Sequence, residues 1–184
     1  MTNRDITLFK CAITRFTDAT WEENVEWKRK TQDMEGKFIY NTLSPIPISL
    51  GTIPNIFMIE MNISTKQIIG VGLVKNKLCY KHYKVYSENS YNFYTYITKY
   101  HMYREEFSES TRQLIENELE KSIFHGFGHL IRGTGISKLP EPLKYILGRR
   151  EMRSIVTFET DFMELFLTEF KEKYGKQFWT KVIE

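Results

Sequence analysis

The run His125-Gly126-Phe127-Gly128-His129-Leu130-Ile131-Arg132-Gly133-Thr134-Gly135 comes closest in this chain to a spacing with known chemistry. Glycine-rich loops next to basic residues cradle phosphates, because their backbone N–H groups can converge on an anion. Gly128 and Gly133 have the phosphate-loop spacing, but Thr134 stands where that loop needs a lysine. The run is no dinucleotide fingerprint either, since it follows a helical pattern and lacks the third glycine. Two readings stay open: an anion cradle flanked by Arg132 and Lys138, or a turn whose glycines supply positive φ. His125 and His129 would share a face on a helix, but Gly126 and Gly128 oppose a helix there and no third ligand is in view. Cys11 and Cys79 are too few for a disulfide framework or a zinc site. No serine or cysteine lies in a nucleophile motif. The sequence thus assigns no catalytic residue, no metal ligand and no cofactor. It leaves open an active site assembled from distant positions.

A second concentration of useful chemistry is aromatic and basic. Aromatic residues make up 15% of the 184 residues, with 11 Tyr and 13 Phe, and the net charge is +3. Residues 66–103 hold six basic side chains against the single acid Glu88, and residues 126–153 hold six against two. An acidic helical stretch lies between them. Were the two basic segments to meet, they would make the positive face of a polyanion binder. The expected nucleic-acid contacts are Lys75, Asn76, Tyr94, Tyr96, Lys99, His129, Arg132, Gly133, Gly135 and Lys138. Lysine and arginine would hold phosphates, and Tyr94 and Tyr96 would stack on unpaired bases of RNA or single-stranded DNA. The alternative for the tyrosines is the second packed layer of a sheet.

The elements that would position these residues make an α+β fold: one domain over 1–184, a curved, mostly antiparallel sheet, and flanking helices. Strands are predicted at Ile6–Ile13, Lys37–Asn41, Ile56–Asn62, Gln67–Lys75 and Tyr91–Met102. Ile63 to Lys66 turns the third strand into the fourth as a hairpin. In the fourth strand Ile69, Val71 and Leu73 fall on one face, while Ile68, Gly70, Gly72 and Val74 fall on the other. Two glycines on one face leave a gap that admits a neighbouring ring or a ligand. Helices are predicted near 21–31, opened by a capping box at Thr20-Trp21-Glu22-Glu23, near 109–124, and near 159–173. In the last, Phe162, Leu165, Phe166 and Phe170 form an apolar stripe. A further short helix is expected after Pro140. No stretch approaches the roughly 18 apolar residues of a membrane span, and the start carries no apolar signal segment. Both point to a reducing cytosol, a nucleus, or a particle assembled there.

Three stretches together resemble a family of small uncharacterised proteins of large (nucleocytoplasmic) DNA viruses: Phe57–Asn62 with Gly70–Asn76, Tyr91–Ile97, and Gly128–Gly135. That resemblance spans about residues 37–140 and implies a setting, host cytoplasm or virion, without supplying a catalytic residue. The hydrophobic-Gly-hydrophobic-Gly pattern at Ile69–Leu73 is similar, more loosely, to PUA-like domains of the EVE and YTH types. This second resemblance implies a small curved barrel binding RNA or a modified base, with Trp21 and the tyrosines lining an aromatic cage. The resulting expectation is non-catalytic nucleic-acid binding. The alternative is a structural component of a virus particle, with its aromatic surfaces against other virion proteins.

Overall fold

A computed structural model describes residues 8–125, 130–139 and 155–175, with Phe178 and Val182. It is a mixed α and β structure built on an open five-stranded sheet. The strands are β1 (Phe9–Phe16), β2 (Phe38–Thr42), β3 (Asn55–Asn62), β4 (Gln67–Lys75), β5 (Tyr94–Thr98), β6 (His101–Tyr103) and β7 (Ser137–Lys138). The large sheet runs β6-β4-β3-β1-β7, and β2 pairs with β5 in a separate two-stranded sheet. All pairings are antiparallel except β1 with β3. The large sheet is not closed: β6 and β7 are its edges, so these strands do not form the barrel that a PUA-like fold implies.

Helix α1 (Asp18–Lys30) begins one turn earlier than expected. Its cap is Thr17, whose hydroxyl accepts from the Thr20 amide while Thr20 Oγ1 accepts from the Thr17 amide. Thr20 is therefore the third helical residue of the capping box. Helix α2 (Glu109–Leu114) starts at the cap Ser108 and continues through a π-helical segment, Ile115–Glu120, into α3 (Lys121–Phe124). The last helix, α4, spans Ile155–Tyr174. The helix expected after Pro140 lies outside the described residues.

Both faces of the large sheet are covered, which is why β3 is buried along its whole length. On one face Phe9, Cys11, Ile13, Phe57, Ile59 and Val71 pack against Ile115, Leu119 and the α4 residues Phe162, Phe166 and Phe170. On the other, Ala12, Phe16, Ile56, Met58 and Val74 meet Phe38, Tyr40 and Tyr96 of the small sheet, with Trp21 of α1 at the margin. Trp21 packs edge-on to Phe16 at 5.1 Å and lies 5.9 Å from Phe38, so it is a packing residue and not the wall of an aromatic cage. Cys11 is buried, Cys79 is half-buried, and neither is in a disulfide.

Two expectations from strand alternation are corrected. The β3–β4 register shifts between Glu60, opposite Gly70, and Met61, opposite Ile68. Ile69 is the extra residue of a bulge. Ile68 therefore joins Val71 and Leu73 in the helix-side core, and Ile69 turns to the other face. Side chains hold the displaced backbone: Glu120 accepts from the Ile68 amide at 2.6 Å, and Arg104 donates to the Ile68 carbonyl at 3.0 Å and to Glu120. The single strand expected over Tyr91–Met102 is instead a 3-10 turn (Asn89–Asn92), then β5, then β6 in the other sheet. The chain crosses between layers at Lys99-Tyr100.

The stripe on α4 packs on the molecule's own sheet, with Phe166 and Phe170 fully buried and Phe57 5.6 Å and 5.5 Å from their rings. Phe166→Ala is expected to lower unfolding free energy by about 3–5 kcal/mol. Urea unfolding of the full chain checks this. A loss under about 1 kcal/mol would show that the helix contributes little to the core.

Candidate functional site

The side chain of Glu60 is the least expected occupant of the core. Glu60 lies on the β3 face that also carries Ile56 and Met58, between the two sheets, and has 0% exposure. Burying a carboxylate without partners costs several kcal/mol. Here both oxygens are engaged. The Tyr40 hydroxyl donates to Oε1 at 2.5 Å, and His101 Nε2 lies 3.0 Å from Oε1 and 3.1 Å from Oε2. Tyr40 comes from β2 and His101 from the edge strand β6, so the carboxylate joins both sheets.

The two glycines of β4 make room for this cluster. A Cβ at Gly70 would lie 2.5 Å from Glu60 Oε2 and 3.1 Å from His101 Nε2, and one at Gly72 would overlap the Tyr40 hydroxyl. Of the two readings of that glycine pair, the structure selects the neighbouring ring. Burial, with the Glu60 charge next, raises the Tyr40 pKa well above its ordinary value, and burial raises that of Tyr86.

His101 is 9% exposed and lines a cleft of about 660 Å³. Its ring stacks on Phe38 at 4.0 Å and meets Tyr103 edge-on at 4.6 Å. If Nε2 donates to Glu60, Nδ1 is left as a proton acceptor. Around the cleft stand Lys28, Arg29, Lys37, Lys99 and Lys173, against the carboxylates of Glu35 and Glu106. Lys28 Nζ donates to the Tyr103 hydroxyl at 2.7 Å and sits 4.6 Å over the Phe38 ring. Lys173 donates to the His101 carbonyl at 2.9 Å and to Glu106 at 2.5 Å. Burial pushes the Glu106 carboxyl up, but Lys173, the Tyr103 amide and the nearby His101 outweigh it and leave it below its usual value. The volume suits a small ligand or a few nucleotides, and the excess of cations suits an anion.

The ten residues expected from sequence do not form one site. Lys75 and Lys99 line a common cavity of about 380 Å³, where Lys75 Nζ donates to the Val182 carbonyl at 2.7 Å. Gly133 and Gly135 line a different cavity beside Arg15 and Thr42. Arg132 is exposed in the turn before them. Lys138 pairs with Ala12 on β1, three strands from Gly72 on β4. That is roughly 14 Å across the sheet, and Lys75 lies roughly 10 Å further along. The expected convergence of Lys75, Lys99, Arg132 and Lys138 is therefore corrected, because the sheet holds Lys138 and Lys75 apart.

Tyr96 is no stacking platform. It is buried, and its hydroxyl accepts from the Ile46 amide at 2.9 Å. Tyr94 is half-buried opposite Thr42. The Asn76 side chain donates to the Leu50 and Ile53 carbonyls and so closes a loop. His129 lies outside the described residues. Among the described residues no group of three or more His, Cys, Asp or Glu could hold a metal ion. No described helix is long and apolar enough to cross a membrane.

Sequence reasoning missed Tyr40, Glu60 and Arg15. A signal existed for Glu60, as the lone carboxylate in the apolar strand Asn-Ile-Phe-Met-Ile-Glu-Met-Asn. No local pattern marks Tyr40 or Arg15.

Glu60→Ala strands the Tyr40 hydroxyl and the His101 ring, and is expected to cost about 3–5 kcal/mol. Gly72→Ala should cost about 1–3 kcal/mol through overpacking against Tyr40. Urea midpoints of both variants measure this, and wild-type values would remove the cluster from the fold's supports. A second expectation concerns alkali. Tyr40 and Tyr86 ionise near pH 10 in the unfolded chain but at higher pH in the fold. The native state therefore keeps protons that the unfolded state has lost. Stability is complete below about pH 10 and falls as the pH rises beyond it. Denaturant melts across that range should show the fall, reduced in Tyr40→Phe; a flat profile contradicts it.

No family model, no characterised protein and no solved structure matches this chain.

Proposed function

We propose that this chain binds a single-stranded nucleic acid, without catalysis, along the cleft over His101. The observation that carries the reading is the cleft's composition: five cationic side chains against two carboxylates, around the rings of Phe38, Tyr103 and Tyr174. Lys28, Arg29, Lys37, Lys99 and Lys173 would neutralise phosphates. The half-buried rings of Tyr103 and Tyr174 would receive unpaired bases. The resemblance to PUA-like domains points to the same ligand class, RNA or a modified base, though the sheet here is open. The resemblance to proteins of large DNA viruses would place the binding in host cytoplasm or in the particle.

A second reading, assembly with other virion proteins, has its own support. Ile48 is 95% exposed, Tyr80 94% and Phe93 63%. Tyr80 follows Cys79, whose amide donates to the Thr95 carbonyl of β5 at 2.9 Å, and Phe93 immediately precedes β5, so two exposed rings stand on segments next to the small sheet.

Anisotropy of a labelled RNA or DNA strand tests the first reading. Affinity should fall steeply with salt, and Lys99→Ala or Arg29→Ala should lower the salt slope by about one phosphate contact each. No binding at about 50 mM salt, where electrostatic attraction is strong, sinks the nucleic-acid reading. Concentration-dependent self-association lost in Tyr80→Ser would then favour assembly.

A further inference from the structure

We infer that a phosphate-sized oxyanion, free or as the terminal group of a small ligand, binds in the smaller cavity between the start of α1 and the glycine turn. This site is separate from the cleft over His101 and does not rest on the nucleic-acid reading. The cavity holds about 120 Å³ and is lined by Arg15, Thr17, Thr20, Thr42, Gly133 and Gly135. That is room for about four waters' share of liquid volume, enough for one tetrahedral oxyanion.

Arg15 carries the argument. Its Nε donates to the Leu130 carbonyl, and its Nη1 donates to the Gly135 carbonyl at 3.1 Å and to Ser137 Oγ at 3.0 Å. All three acceptors are neutral. No carboxylate among the described residues pairs with this half-buried guanidinium, and Nη2 has no acceptor among them. Desolvation draws the Arg15 pKa below its usual value. A partly buried cation without counter-charge is unfavourable, and an oxyanion accepting from the guanidinium is its natural complement.

An independent observation lies in the wall of the same cavity. Thr42 is 4% exposed, and its Oγ1 is buried without any hydrogen-bond partner. Such an orphaned hydroxyl costs about 1–3 kcal/mol, which a ligand oxygen can relieve. The turn is built to let the chain close on both groups. A Cβ at Gly133 would overlap the Arg15 guanidinium. At Gly135, where φ is +66°, a Cβ would lie 2.9 Å from Ser44 Oγ and 3.1 Å from Thr42 Oγ1. The N-terminal end of the 13-residue helix α1 adds a favourable field for negative charge. A purely structural clamp on the turn accounts for Nε and Nη1, but for neither Nη2 nor the Thr42 hydroxyl.

Thermal melts of the full chain test this with inorganic phosphate, a nucleoside 5′-monophosphate, and sodium chloride at equal ionic strength. Phosphate should raise the midpoint above the chloride control, as binding to the folded state alone requires. Arg15→Ala risks misfolding the turn, so the deciding variant is Thr42→Val. Removing an unsatisfied hydroxyl should leave the melt in chloride unchanged or raised. It should nonetheless weaken phosphate binding about 5–10-fold, one hydrogen bond's worth. A monophosphate acting at lower concentration than phosphate identifies a larger ligand, and equal or weaker action identifies the free oxyanion. No phosphate-specific rise, or a rise unchanged in Thr42→Val, overturns the inference.

Discussion

A carboxylate sealed between two sheets constrains the whole molecule. Glu60 stands in the middle of the central strand β3 with no exposed surface, so its partners must come from whichever elements pack over it. Tyr40 reaches it from the small sheet and His101 from the edge strand. Moving either element by the width of a side chain would leave the charge or its donors unsatisfied, at a cost comparable with a large part of a domain's stability. Gly70 and Gly72 follow from the same requirement, because β4 runs directly beneath the cluster and any Cβ there meets Glu60, His101 or Tyr40. The bulge at Ile69 follows within one residue, and is held from outside by Arg104 and Glu120.

The cluster also links the core to the surface. His101 belongs to the buried network and to the lining of the cleft at once. Its backbone carbonyl accepts from Lys173 and from the Tyr174 hydroxyl at 2.6 Å, which docks the end of α4 beside the same cleft. Electrostatics around the cleft is thus set by elements far apart in sequence: α1 supplies Lys28 and Arg29, the layer crossing supplies Lys99, and α4 supplies Lys173. Positive charge gathers there from segments that only the fold brings together. The cavity at Arg15 follows the opposite plan, with one guanidinium and a buried hydroxyl among neutral acceptors, a small pocket of definite shape instead of a broad field.

Much of the architecture was legible in the sequence. The hairpin of β3 and β4, the helical stretch near 109–124, the amphipathic stripe of α4 and the mixed α and β character all come from local rules of periodicity and capping, which act over a few residues. Strand boundaries for β1 and β2, and the start of α1, were displaced by one to three residues. The division of Tyr91–Met102 between two sheets was hidden, since alternation continues unbroken through the crossing at Lys99-Tyr100.

The candidate site was less legible, for a physical reason that the residues make plain. The sequence by itself determined which residues could be core, where the chain must turn, and that β4 needs space on one face. It could not say that Tyr40 fills that space, that Glu60 is buried, or that Arg15 lacks a counter-charge. Those facts depend on pairings across tens of residues, where the ladder register places Lys138 and Lys75 on distant strands and sets His101 against Glu60. Local chemistry decides what a segment can become, and tertiary packing decides which polar groups share a low-dielectric space, where their interactions are strong enough to matter.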